Sequence, residues 1–498
     1  MAGIFRKGEE KIRPGIYFRQ ENGGVDAAAT LISTVAAVFQ ANWGPLNEPI
    51  TLKSAADASA YFGDDTGEKS NVKIIEDVFS GGASIVKAIR VGDAKKGTCA
   101  SITLKDSTEE SGVDAVTLTA KYPGTLGLSV SIHDSLAYSD KRECVIYAGT
   151  KELTKVLFTK GETGEAAALT EAINADSLSV VKAEKKSEAD NKPLKELAQT
   201  AFETSGKSPE ITNADYSAAF EALETDGSWD LLCVDTDAKE VHALIKNFLS
   251  RANDNGLMAT AVIGEPTTKA YSERVKNAAG YDSQNIVYVL NGFARGTTLY
   301  EGWRAAAVVA GRISGIDNND SVTHKIIDGA TSVVGALTNA QVEECLTNGA
   351  LVFTRSRSGA IWIEQGINTL VHLKENQDAG WKKIRRTRTR YELIKRIDLT
   401  IEGLVGSITN DSNGRATVIA LAQGIINTMV AEGKLLSGSI IEDANNPAAG
   451  DSAWFIIAVD DLDSLEKIYL TYFFRFSANS AASAALTAAT GGAASAQG

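Results

Sequence analysis

Apolar and polar positions follow three rhythms along this chain, and each marks a different part of it. Close to the end, Glu466-Lys-Ile-Tyr-Leu-Thr-Tyr-Phe-Phe-Arg-Phe476 puts Ile468, Leu470, Tyr472, Phe474 and Phe476 on one face and Lys467, Tyr469, Thr471, Phe473 and Arg475 on the other. That period of two, in strand-favouring residues, predicts a β-strand. A strand this apolar needs a partner, because an unpaired apolar edge templates aggregation. A second candidate arm, Lys11-Ile-Arg-Pro-Gly-Ile-Tyr-Phe-Arg19, shares a face among Ile12, Ile16 and Phe18. Pro14 cannot donate to a ladder, so this arm belongs on an edge or adds to another sheet.

The second rhythm is the near-continuous apolar run. Trp229–Asp235, Met258–Ile263 and Asn285–Leu290 read as strands of a parallel sheet covered on both faces. Helical stretches at Ala238–Ala252, Thr268–Ala279 and Tyr300–Ser314 alternate with them, which is doubly wound α/β logic. Thr34–Phe39 and Ser84–Val91 predict further strands, with short helices at Ser54–Phe62 and Val72–Phe79.

The third rhythm interrupts the second. Short runs at Ser101–Leu104, Ala115–Ala120, Leu128–Ile132, Cys144–Tyr147 and Lys155–Phe158, with a turn at Tyr122-Pro-Gly124, predict an inserted antiparallel β-domain, a sandwich or small barrel. After residue 336 the pattern changes again. It predicts a helix at Thr338–Leu346, a hairpin from Leu351–Thr354 and Ile361–Glu364, and a strand at Asn368–His372. A long helix over 384–409 follows, with Ile394, Ile397, Ile401, Leu404, Val405 and Ile408 at helical spacing, then a helix at Arg415–Glu432 and a strand at Trp454–Val459.

The expected layout is therefore an arm over 1–24, the first part of an α/β core over 25–98, the inserted β-domain over 99–190, the main α/β domain over 191–335, an α+β C-terminal domain over 336–477, and an Ala/Ser/Gly tail over 478–498. A length of 498 residues is too great for one core and fits this division.

Charge and chemistry change the picture only locally. The formal charge of −13 argues against wholesale nucleic-acid binding. Against that background Lys382, Lys383, Arg385, Arg386, Arg388, Arg390, Lys395 and Arg396 crowd the start of the long helix. This is either a solvated face or a surface for an acidic protein partner; nucleic acid is disfavoured, since no aromatics interleave. The cysteines, Cys99, Cys144, Cys233 and Cys345, are far apart and read as buried free thiols. The first residues hold no apolar signal core and no apolar run reaches membrane-spanning length, so a cytoplasmic start without membrane insertion is expected.

An α/β core invites an enzyme reading. No GxSxG, GxxxxGK[ST] or GxGxxG is present, and His133, His242, His324 and His372 are scattered, so no catalytic, cofactor or metal site is expected. His242 near Asp235 and Asp237 keeps one enzymatic alternative open, a subtilisin-related α/β hydrolase with divergent motifs. Asp235-Thr-Asp237 is more simply the capping region of the helix that follows.

Arg13-Pro-Gly-Ile-Tyr17, Asn42-Trp-Gly-Pro45, Tyr122-Pro-Gly-Thr-Leu-Gly127, Gly366-Ile-Asn-Thr-Leu370 before Lys383-Ile-Arg-Arg386, Asn413-Gly-Arg415 and Glu466-Lys-Ile-Tyr469 occur in this order along nearly the whole chain. In this the chain resembles the sheath proteins of contractile phage tails and phage-tail-like bacteriocins, in the form found in phages of Gram-positive bacteria; residues 477–498 lie outside the resemblance. The resemblance implies a subtilisin-like core without proteolytic function, an inserted β-domain and a tube-proximal C-terminal domain. It implies arms that add strands to a neighbouring subunit's sheet, so Ile12, Pro14, Ile16, Phe18, Ile468, Leu470, Tyr472, Phe474 and Phe476 are expected at strand exchange. It implies a helical homopolymer around a tail tube, assembled in the host cytoplasm with baseplate and tail terminator proteins. Contraction of that polymer drives the tube through the cell envelope and needs no cofactor. The basic helix, Lys382 to Arg390, is then expected to meet the tube.

Overall fold

The computed structural model describes residues 33–63, 70–108, 112–187, 189, 191–375, 377–472 and 474, with the backbone of the strands Ala2–Ile4 and Ile16–Phe18. It falls into two compact units, Met1–Leu462 and Asp463–Gly498.

The first unit is a mixed α/β, multidomain structure built on a seven-stranded sheet. Its strand order is Ala350–Leu351, Ile286–Val289, Thr260–Gly264, Leu231–Val234, Val35–Phe39, Val86–Arg90, Ile50–Leu52. All neighbours run parallel except Ile50–Leu52, which pairs antiparallel with Val86–Arg90. Successive residues of each strand feed opposite faces, which is why these runs are apolar without alternation. Val35, Ala37, Phe39, Leu231 and Cys233 pack with the helices Lys73–Gly81 and Trp303–Ser314. Ala36, Val38, Leu232 and Val234 pack with Asn213–Asp226, Lys239–Asp254 and Tyr271–Tyr281.

Between Val86–Arg90 and Leu231–Val234 the chain builds a separate β-unit. One sheet has the order Lys151–Thr159, Lys141–Ala148, Leu128–Asp134, Leu197–Ala201, and the other Val181–Lys185, Asp114–Ala120, Ser101–Lys105. They enclose their own apolar core with the helix Glu165–Ala175. The unit reaches past the expected boundary at 190. Leu197–Ala201 completes its first sheet, and bridges Thr98–Lys207 and Ser101–Thr204 close its neck. The polar Leu-Ala-Gln-Thr-Ala of that last strand gave no alternation to read.

The C-terminal part departs from expectation in four places. Ala350–Leu351 joins the edge of the seven-stranded sheet, and only Phe353–Arg355 pairs with Ile361–Ile363, so this stretch belongs to the α/β core. Asn368–His372 forms no strand; the Asn368 and Thr369 amides donate to the Lys382 and Ile286 carbonyls, each at 2.8 Å, and Asp282 accepts from the Val371 and His372 amides at 2.7 and 2.9 Å. The long helix spans Ile384–Ile401 and stops short of 409, passing through a 3-10 turn at Glu402–Leu404 to Gly406 at φ 74°, with Val405 exposed. A strand the periodicity did not reveal, Leu435–Glu442, pairs antiparallel with Phe455–Asp461; its centre, Ser-Gly-Ser, reads as a turn.

In the second unit the described residues, Asp463–Tyr472 and Phe474, form no helix or strand, and Ile468, Leu470, Tyr472 and Phe474 are exposed. Phe476 lies outside the described residues, as do Ile12 and Pro14. Ile16–Phe18 pairs in parallel with Ala2–Ile4.

Candidate assembly interface

Two helices and one hairpin make up the C-terminal part of the first unit. Ile384–Ile401 is long because its apolar residues fall at helical spacing, and Leu393 and Ile397 face inward. Ser412–Ala431 starts on Asp411, whose carboxylate accepts from the Gly414 amide at 2.8 Å, and buries Ala422, Ile425, Ile426 and Met429. The hairpin Leu435–Glu442 with Phe455–Asp461 lays Leu435, Ile440, Phe455 and Val459 onto this core.

The hairpin is an unfinished sheet: among the described residues no further strand joins either outer edge. A two-stranded ribbon is marginal on its own, and this one leaves Leu436, Ile441, Ile456 and Ile457 exposed. Beside the edge of Phe455–Asp461 runs a groove of about 620 Å³, lined by residues that include Trp381, Arg390 and Leu393 from the helix side and Ile457, Val459 and Asp461 from the strand. Its lining combines apolar Leu393, Leu435, Ile457 and Val459 with charged groups. There Arg386 Nε donates to Asp461 at 2.8 Å and Arg386 Nη1 donates to Asp378 at 3.0 Å, while Arg390 lies 3.9 Å over the Trp381 ring.

The basic row expected to point outward is largely turned inward. Arg385 is buried, with Nε donating to the Asn319 carbonyl at 2.7 Å and Nη1 to the Leu462 carbonyl. Arg388 is half-buried and donates to the Ile316 carbonyl at 2.9 Å; burial pushes its guanidinium down to about 10. Lys382 Nζ donates to the Val371 carbonyl at 2.9 Å. Lys383 is half-buried. Lys395 pairs with Asp230 at 3.1 Å, and buried Arg396 binds Glu392 and Glu432. These cations dock the helix onto the loop at 316–319 and onto the hairpin instead of forming a free charged face. Sequence spacing could not reveal this, because their acceptors are mostly backbone carbonyls distant in the chain.

The residues that kept the hydrolase alternative open do not converge. Asp235 is buried and accepts from Tyr216 Oη at 2.7 Å, Asn71 Nδ2 at 2.8 Å and the Gln40 amide at 2.8 Å. Buried His242 turns Nε2 to the Thr236 carbonyl at 3.0 Å, and burial pushes its pKa down to about 4, so it is neutral at pH 7. Asp237 does not cap the helix that follows it; it accepts from the Trp303 amide at 2.7 Å and caps Trp303–Ser314. No serine is among the partners of either group, and among the described residues no cluster could hold a metal ion.

Residues 209–369, which supply four of the seven core strands, match the family model described as the phage tail sheath protein central domain. Over those residues the chain is similar to the phage tail sheath family. The likeness to other proteins extends beyond these residues. Over 489 residues the chain is 25% identical to the uncharacterized protein YqbK of Bacillus subtilis, covering 94% of this chain and 98% of that one. Its fold is similar to that of the sheath tail protein Lin1278 of Listeria innocua, with a TM-score of 0.68 at 20% identity, over 88% of this chain and 98% of that one. It is also similar to a chain of the PVC sheath complex, an extracellular contractile injection system in its contracted state, with a TM-score of 0.51 at 10% identity over 94% of this chain and 99% of that one.

Proposed function

We propose that this chain is the structural subunit of a helical, contractile tail sheath, in a phage or a phage-tail-like particle, and that it is not an enzyme. The observation that carries this reading is the unfinished hairpin sheet beside an open groove, on a chain similar to the sheath family over 209–369. An open sheet edge is completed by a strand from elsewhere, with main-chain hydrogen bonds giving affinity and side-chain pockets giving specificity. The two apolar arms are the strands on offer. Five apolar side chains, Ile468 to Phe476, at about 2 kcal/mol each amount to about 10 kcal/mol gross per arm, less the cost of ordering it.

Contacts of this kind are heterologous, and when their rotation does not close they build helical polymers. The subunits then form a mesh around a tail tube, capped by baseplate and terminator proteins. Stored packing energy drives contraction, and the tube passes through the target envelope. The subtilisin-like description of the core belongs to this proposal. It is supported by a mostly parallel sheet with helices on both faces, used as a scaffold. Assembly is expected in the host cytoplasm.

The test is electron microscopy of the purified chain. Striated tubes are expected for the full chain and none for a chain lacking 463–498 or 1–20. Tubes formed equally by both truncations would overturn the strand-exchange reading.

A further inference from the structure

We propose that the side chains of Lys239 and Asn277 join in an intramolecular isopeptide bond, with Glu265 as the group that moves the proton. This goes beyond the sheath reading and does not depend on it.

The three residues come from three elements that the sheet brings together. Glu265 directly follows the strand Thr260–Gly264, Asn277 lies in the helix Tyr271–Tyr281, and Lys239 opens the helix Lys239–Asp254. Both helices cover the same face of the sheet. Asn277 and Glu265 are buried there, and Val241, Ile263, Val275 and Ala278 of the same elements belong to the apolar cluster on that face.

The contacts converge on one carboxamide. Asn277 Nδ2 donates to Glu265 Oε2 at 2.9 Å and approaches Oε1 at 3.3 Å, and Lys239 Nζ donates to Asn277 Oδ1 at 3.3 Å. An amine and a proton carrier thus sit at the two ends of the same amide group. A carbonyl bond adds about 1.2 Å, so Nζ lies within about 4.5 Å of Cγ, and rotation of the flexible lysine stem covers the remaining step to an attack distance of about 3–3.5 Å. Tyr288 Oη donates to Glu265 at 2.6 Å and Lys269 Nζ at 2.8 Å. Burial pushes the Glu265 carboxyl up, but the hydrogen bonds from Lys269, Tyr288 and Asn277 outweigh this and hold it below its ordinary value, so it is a carboxylate at pH 7.

The kind of partner sets Lys239 apart from Lys87, Lys96 and Lys395. Those meet carboxylates, Asp226, Asp215 and Asp230, whose negative charge resists attack by an amine lone pair. Lys239 meets a neutral carboxamide, whose carbon carries a leaving group.

The step balances without a co-reactant. Lys239 is exposed along its stem, gives up a proton to solvent and attacks as the free amine. Its nitrogen bonds to Asn277 Cγ, and the cationic nitrogen of the adduct passes a proton to Glu265. Glu265 hands that proton to Nδ2, the bond from Cγ to Nδ2 breaks, and ammonia leaves. The products are a secondary amide between the two side chains and one ammonia, with nothing oxidised or reduced. Lys239 and Asn277 are 38 residues apart along the chain, so separating their helices then requires breaking a covalent bond.

Mass spectrometry of the full chain tests this. After incubation in mildly alkaline buffer the intact chain is expected to be lighter than its sequence by one ammonia. Trypsin does not cleave after an acylated lysine, so it should release residues 208–246 joined to residues 277–295. Lys239→Arg should keep its full mass. Glu265→Gln should form the bond about a hundredfold more slowly; if that variant does not melt cooperatively, Glu265→Asp, which keeps the charge and shortens the reach, takes its place. An unchanged mass, with separate peptides ending at Lys239 and beginning at Asn277, would overturn the inference and leave an ordinary hydrogen bond. A gain of one mass unit at Asn277 would overturn it too, since water and not Lys239 would then be the attacking group. A bond formed at the wild-type rate by a folded Glu265 variant would sink the role given to Glu265.

Discussion

Arg386 of the long C-terminal helix holds Asp461, the last residue of the closing strand, through Nε at 2.8 Å, and the same guanidinium reaches Asp378 at 3.0 Å. One side chain thus ties together a 3-10 turn, a helix and a strand end. Asp461 is nearly buried and Arg386 is largely so, which places the contact above the worth of a surface pair. Removing the carboxylate leaves Arg386 with only exposed Asp378. Asp461→Ala is expected to lower stability by about 2 kcal/mol, with the loss concentrated in the hairpin. Hydrogen exchange should show faster opening of 435–442 and 455–461 while the seven-stranded sheet keeps its protection. Uniform loss across the chain would refute this localisation.

The core was readable because its signal is local. Leu231-Leu-Cys-Val234 is apolar at every position since each face of the sheet is covered, and no distant information is needed to see that. The assembly surface was less so. Leu435–Glu442 escaped because its middle, Ser437-Gly438-Ser439, has the composition of a turn, and Gly438 sits where a Cβ would lie 2.7 Å from Val459 and 2.9 Å from Ile426. The fate of Arg385 and Arg388 was hidden for a different reason: their acceptors, the carbonyls of Asn319 and Ile316, carry no side-chain signature. The reach of the long helix was overread because Leu404, Val405 and Ile408 continue its spacing past Ile401, where it ends, although Gly403 and Gly406 interrupt that stretch.

Two helices of the core meet through glycine. A Cβ at Gly311 would lie 1.9 Å from the Val78 carbonyl oxygen, and one at Gly81 would lie 2.2 Å from that of Val308. Alanine at 311 gains about 1 kcal/mol in helix propensity but forces the helix Lys73–Gly81 away, and overpacking costs about 1–3 kcal/mol. Gly311→Ala should therefore lower the melting temperature. Gly424→Ala, in the interior of Ser412–Ala431 with nothing within 4 Å of its Cβ, should raise stability by about 0.5–1 kcal/mol. Equal effects at the two sites would show that close helix contact is not what reserves position 311.

Asp237 gives the core a pH dependence. Burial pushes its carboxyl up to about 7, against the Trp303 amide and nearby Lys269, which favour the charged form. The folded chain therefore holds a proton that the unfolded chain has released between pH 4 and 7, so this group's contribution to stability falls as pH rises through that window and is gone above it. Asp237→Asn keeps an acceptor for the Trp303 amide and removes the titration. Melting temperatures of wild type and variant should converge at pH 4 and separate toward pH 8 in the variant's favour. Parallel curves would assign the pH response elsewhere.

Glu392 is the carboxylate on which the C-terminal part turns. It is buried, receives Arg396, and accepts from Lys434 Nζ at 2.7 Å and from Asn318 Nδ2 at 2.6 Å. Arg396 and Lys434 also share Glu432 at 3.0 and 2.8 Å. The network therefore links the loop at 316–319 of the α/β core to both C-terminal helices and to the start of the hairpin. Taking out one member strands the others. Glu392→Gln leaves two buried cations sharing Glu432 alone and is expected to cost about 3–5 kcal/mol. Replacing all of Glu392, Arg396 and Lys434 by Met together should cost much less, since apolar groups of similar volume need no compensation. Chemical denaturation of the two variants separates the cases. A triple variant less stable than Glu392→Gln would mean that the network contributes through its hydrogen bonds to Asn318 and Glu432 more than through the balance of its charges.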